Sequence, residues 1–208
     1  MAQIDIDEEI ESFKKSAYFA QEQQNEKKVI ARFQPIFTPE NLDNLTAEDF
    51  KSFLRSKNNK HWWGIQRQSG RLTTDMDHLG NALRILLDES KPIEQRLDTL
   101  FPEKGPHYIK FLGRATATPI LLVVYPNKYS VYNRKVELSL EACDLHPDER
   151  GMSLAQRYVK VNQVLTDLSQ RHHISRFLLD WVFHRITVQV EQGKEPPSHW
   201  TSAMHPQL

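Results

Sequence analysis

Apolar residues at Ile6, Ile10, Phe13, Ala17 and Ala20 step by four and three, the spacing that lines one face of a helix. Asp5, Asp7, Glu8 and Glu9 suit the positive end of its dipole. Val29, Ile30 and Phe33 extend the pattern until Pro35 and Pro39 interrupt the backbone hydrogen bonds, so residues 34–44 read as a connector. Thr46-Ala-Glu-Asp49 has the form of a capping box, with Leu45 and Phe50 placed as its hydrophobic staple. The helix it opens buries Phe50, Phe53 and Leu54 and points Lys51 and Arg55 outward. It delivers the chain into KNNKHWWGIQRQSG, which reads as a loop or a small β-hairpin over residues 63–67.

The residues from Thr74 to Asp77 repeat the capping pattern, and Met76, Leu79, Leu83 and Leu86 predict an amphipathic helix ending near Ser90. Pro92 can begin the next helix, which offers Ile93, Leu97 and Leu100. The run Pro119-Ile-Leu-Leu-Val-Val suits a buried strand or a buried helix, and helix is the preferred reading. Ser153-Leu-Ala-Gln156 is a capping box for a long helix carrying Tyr158, Val161, Leu165 and Leu168. A last helix holds Phe177, Leu178, Trp181 and Val182 up to about Val190. The expected fold is therefore mainly α, with an acidic amphipathic helical segment over residues 1–33, a helical core domain over 45–190 and a flexible tail over 193–208.

Composition narrows the function classes. The chain has 208 residues, enough for one ordinary domain with a full core. Its longest apolar run, residues 120–125, falls short of the roughly 20 residues that cross a bilayer. Cys143 is the one cysteine, which excludes an internal disulfide and a thiolate zinc cluster and fits a reducing, cytoplasmic home. Its neighbours Glu141 and Asp144 oppose a reactive thiolate. The histidines are scattered without the paired spacing of a zinc site, so no metal and no cofactor is expected.

Charge is balanced overall and polarised locally. Twelve of the 27 Lys and Arg residues fall in residues 51–74 and 104–136, two tracts with no Asp or Glu, while the rest of the chain carries 15 basic against 27 acidic residues. Local charge of this kind steers a polyanion. In the first tract Arg55, Lys57, Lys60, Arg67 and Arg71 are candidate phosphate contacts. Asn58, Asn59, Trp62 and Trp63 offer amides and indole faces to bases, since adjacent residues in an extended segment face opposite ways and both rings would not bury together.

The second tract carries Leu112-Gly113-Arg114-Ala115-Thr116-Ala117 followed by Ile120-Leu121-Leu122-Val123-Val124. It resembles the latter half of a helix-hairpin-helix of the endonuclease III type of base-excision glycosylase. That resemblance implies a phosphate held at Gly113 and Thr116, helped by Lys110 and Arg114. The family's first hairpin glycine falls at Lys110, and its catalytic aspartate has Asn133 in its place, so glycosylase chemistry is not implied.

Across residues 50–185, the segments FLRSKNNKHWWGIQR, LGNALRILLDES, LGRATATPILLVVYPNKYSVYN and RGMSLAQRYVKVNQVL resemble accessory, non-ATPase regions of McrB-like restriction systems. This implies DNA recognition beside a separate motor or nuclease subunit. The chain has no Gly-x-x-x-x-Gly-Lys-Ser/Thr sequence and is not that motor. The expectation is a non-catalytic nucleic-acid-binding module of a restriction or defence system, for DNA before RNA and without a membrane. The alternatives are a protein-interaction adaptor docking a larger enzyme, or a DNA-processing enzyme whose carboxylates, Asp75 with Asp77 or Glu137 with Glu141, assemble only in space.

Overall fold

A run of packed aromatic rings marks the core: Phe33 and Phe37 meet Phe53 edge to face at 5.4 and 5.0 Å, Phe53 meets Trp62 at a tilt at 5.3 Å, and Trp62 meets Phe177 edge to face at 6.0 Å. The structure, a computed structural model, describes residues 4–55 and 60–192, and these hold eleven α-helices and no strand. The mainly helical reading of the sequence is correct. The β-hairpin is not: Lys60–Gln68 is a 3₁₀ segment, kinked at Trp62, because Trp62 and Ile65 turn to the core at helical rather than alternating spacing. Lys57, Asn58, Asn59 and the tail over 193–208 lie outside the described residues.

Helix α1 (Ile6–Lys14) is capped by Asp5, whose carboxylate accepts from the N–H groups of Asp7 and Glu8. The periodicity runs on past it, yet the chain breaks at Ser16 and restarts as α2 (Ala17–Phe33), folding Phe19 back onto Phe13 at 5.5 Å. A 3₁₀ turn (Gln34–Phe37) and α3 (Pro39–Leu42) fill the expected connector. Both capping boxes form as read, Thr46 with Asp49 opening α4 (Ala47–Leu54) and Ser153 with Gln156 opening α10 (Leu154–Arg171).

Between them lie α5 (Ser69–Leu72), α6 (Met76–Leu87), α7 (Ile93–Leu100), α8 (Arg114–Val124) and α9 (Arg134–Ala142). Asp75, not Thr74, caps α6 by accepting from the His78 N–H at 2.8 Å, and Asp88 ends it. Helix α8 settles the strand-or-helix ambiguity, with Thr116 to Val124 all buried and Pro119 inside it. Helix α9 escapes the sequence pattern because only Val136, Ser139 and Leu140 of its residues are buried. Asn133 caps it by accepting from the Val136 N–H.

Helix α11 (Arg176–Gln192) is the hub. It packs against α9, α1, α10 and α2, and its buried residues include Asp180, Arg185, Thr187 and Gln189 besides the apolar ones. Buried polar groups need partners, and the first two helices supply several. Glu22 accepts from the Trp181 indole N–H at 2.7 Å, while Glu9 takes the Arg185 guanidinium at 3.1 Å and the Gln189 amide at 3.2 Å. Residues 4–33 are thus joined to the same core as the rest through α1 and α2.

Candidate nucleic-acid interface

The two acid-free tracts meet at Phe111. Helices α5 and α8 both pack on the 3₁₀ segment, which brings Arg71 of the first tract to Lys110 of the second. The Arg71 guanidinium lies 5.1 Å from the Phe111 ring centroid and the Lys110 ammonium 5.6 Å from the same centroid. Both cations are exposed, as is Arg67 one turn before Arg71. None of the three has an ion pair among the described residues; Arg71 has a 3.5 Å contact with the Gln68 amide oxygen.

Phe111 is held in an unusual way. Its φ is 78°, the left-handed region that a bulky side chain avoids at a cost of about 1–3 kcal/mol. The Thr116 hydroxyl donates to the Phe111 carbonyl at 3.0 Å, and the neighbouring Leu112 is 4% exposed, so the packed end of α8 fixes the conformation. The ring remains half-buried and serves as the bed on which the two cations rest.

Several expected contacts take other roles. Trp62 is 5% exposed between Phe53 and Phe177 and has no face to give a base. Arg55 pairs with Glu48 at 2.7 Å. Thr116 is buried and its hydroxyl is committed to Phe111, so it does not reach a phosphate. Arg114 forms a two-pronged ion pair with Glu137 and lies over the Tyr132 ring at 4.4 Å. The Tyr132 hydroxyl is within hydrogen-bond distance of Glu137 and of Glu149, at 3.1 and 3.0 Å, and Glu149 also faces Arg157 at 3.4 Å. Arg114 is therefore neutralised by the first acid beyond its own tract.

Gly113 is exposed at the start of α8 with ordinary φ of −86°. The Thr116 and Ala117 N–H groups both turn back to its carbonyl at 2.9 Å, which leaves less of the helix end for an anion. The connection from α7 to α8 runs through residues 101–113, not the tight turn of a helix-hairpin-helix. Lys57, Asn58 and Asn59 lie outside the described residues, as do the side chains of Lys60 and Trp63. Sequence reasoning missed Phe111, although an aromatic between Lys110 and Arg114 was the signal to follow.

The other motif, Tyr125 to Tyr129, closes over the end of α6. The Tyr125 hydroxyl donates to the Leu87 carbonyl at 2.8 Å, and the Tyr129 hydroxyl donates to Glu89 at 2.7 Å. Glu89 also pairs with Lys128 and with the buried Arg96. These residues hold helices together. Among the described residues, no group of three His, Cys, Asp or Glu side chains could hold a metal ion. Burial, with Glu9 and Asp5 nearby, pushes the Cys143 thiol up to about 12, so it is no nucleophile near neutral pH.

Burial disfavours the charged form of Glu137, but the Arg114 guanidinium outweighs it and holds the carboxyl below the usual carboxylate range. A group depressed in the folded state contributes stability above its unfolded pKa, about 4.3 for Glu, and that contribution fades as pH falls through the folded value. Urea titrations below about pH 5 are expected to give a flatter acid limb for Glu137→Gln than for the wild type; parallel limbs would count against the pair. Comparison with protein-family models, with curated proteins and with solved structures finds no match for this chain.

Proposed function

We propose that this chain is a non-catalytic nucleic-acid-binding domain, for DNA before RNA, that engages the phosphate backbone through Arg67, Arg71 and Lys110. The observation that carries the reading is the meeting of Arg71 and Lys110, from separate acid-free tracts, on the single ring of Phe111. Three cations that have no ion-pair partner among the described residues, on adjoining elements, form the kind of surface that replaces counterions along a phosphate chain. Charge also distinguishes this face more than apolarity does, since Val159 is the large apolar side chain that the described surface exposes.

The likeness of residues 50–185 to McrB-like accessory regions extends the proposal to a targeting component of a restriction-type system, working beside a motor or nuclease subunit. A reducing, cytoplasmic setting goes with the lone buried thiol. No helix among the described residues is long and apolar enough to cross a membrane.

The test is fluorescence anisotropy with a labelled DNA duplex over a series of salt concentrations. Three phosphate contacts give a plot of log K against log salt with a slope of about −2.7, and each further cation from the first tract steepens it by about 0.9. Affinity that does not change between dilute and physiological salt would overturn the reading.

A further inference from the structure

Three residues other than glycine hold a left-handed backbone among the described ones: Phe111, Asp144 and His173, at φ of 78°, 54° and 49°. Two of them end helices. Asp144 follows α9 and His173 follows α10, where the Leu145 N–H returns to the Leu140 carbonyl at 2.8 Å and the Ile174 N–H to the Ser169 carbonyl at 3.1 Å, the bonds of a helix-closing motif in which this conformation is normal. Phe111 has no helix to end. The Leu112 N–H donates to the Ile109 carbonyl at 3.0 Å, which closes a turn with Phe111 third of its four residues, and a positive φ there is the place of glycine or asparagine.

A phenylalanine costs this turn more than the residues it prefers, and packing offsets only part of that cost, because the ring touches the core yet stays half-buried. What meets the ring besides is charge of one sign. Arg71 and Lys110 stand 5.1 and 5.6 Å from its centroid, near the outer reach of a cation–ring contact. Both are exposed and have no ion pair among the described residues, so each can leave the ring for a phosphate while a flat partner takes its place. An aromatic face set among such cations is the arrangement by which proteins hold a strand with unstacked bases. Backbone strain at that place is a cost that function explains and folding does not.

We infer that Phe111 is a stacking platform for an unpaired base, so that the ligand of this site is single-stranded nucleic acid whose phosphates are engaged by Arg67, Arg71 and Lys110. The inference rests on the nucleic-acid reading and deepens it by naming the form of the strand. Bases paired inside a duplex present no free face to the ring, so a duplex meets the cations alone. The turn that holds Phe111 also fixes its ring in advance, which spares the complex the entropy of ordering it.

Labelled single-stranded and duplex DNA of one sequence are titrated by anisotropy over a salt series with wild type, Phe111→Tyr, Phe111→Leu and Phe111→Gly, and each protein is also melted. Wild type and Phe111→Tyr should bind the single strand roughly tenfold more tightly than the duplex, the size of one base stacked on an aromatic face. Phe111→Leu, which keeps apolar bulk without the flat face, and Phe111→Gly should lose that preference, with duplex affinity within about twofold of wild type and the salt slope for each probe unchanged. Phe111→Gly should melt no more than about 8 °C below wild type, since a turn that prefers glycine offsets the ring contacts given up. A wild type that binds both forms alike, with salt dependence, would overturn the inference and leave the nucleic-acid reading standing. So would Leu and Gly variants that keep the preference for the single strand. Loss of both forms together with a deeper fall in melting would overturn it too, by showing that the ring serves the fold. A wild type that binds neither form in a salt-dependent way would remove both readings.

Discussion

The double variant Arg71→Ala, Lys110→Ala is expected to bind DNA roughly 200-fold more weakly than wild type at about 50 mM salt, but only about 20-fold more weakly at about 200 mM. The convergence follows from counterion release: each phosphate contact removed takes about 0.9 from the slope of log K against log salt, so two take about 1.8. A variant that had merely lost its fold would not show a deficit that shrinks in this ordered way as salt rises. Both side chains are exposed, and the cation–ring interactions with Phe111 that they give up are worth about 0.5–1 kcal/mol each. The thermal unfolding curve should accordingly fall by about 2–8 °C and keep its shape. A salt slope equal to that of wild type would remove Arg71 and Lys110 from the interface.

Trp62→Ala is expected to act on a different quantity, lowering the free energy of unfolding by about 3–5 kcal/mol. The indole is 5% exposed and joins Phe53 on α4 to Phe177 on α11, so its removal opens a cavity where two parts of the core meet. Urea titration measures the loss directly, and Trp62→Phe should recover much of it by restoring part of the volume. Any loss of DNA binding in Trp62→Ala then reports the packing of the core. Stability within about 0.5 kcal/mol of wild type would mean that the ring is not a core residue.

What the sequence made legible was local chemistry. The boxes at Thr46 and Ser153 form because a hydroxyl and a side chain three residues later satisfy two backbone donors without help from the rest of the chain. The break at Ser16 was hidden, since the apolar pattern continues across it and only the return of Phe19 onto Phe13 reveals it. Helix α9 was hidden for lack of pattern, with a cap from Asn133 as its clearest mark.

The site was half legible for a related reason. The absence of acids from a stretch of sequence says nothing about acids brought to it by folding. Glu48, Glu89 and Glu137 all lie outside the tracts, yet they neutralise Arg55, Lys128 and Arg114. Arg67, Arg71 and Lys110 keep their charge unpaired among the described residues. Phe111 could not be read as their meeting place, because its left-handed backbone is imposed by Thr116 and by the packed end of α8.

The dependence of α1 and α2 on α11 sets an order of events during synthesis. Glu9 cannot meet Gln189, nor Glu22 reach Trp181, until the ribosome has released residues separated from them by most of the chain. Through that interval Ile10, Phe13 and Val29 lack the surface that will cover them, so the emerging polypeptide should engage chaperones through its earliest helices.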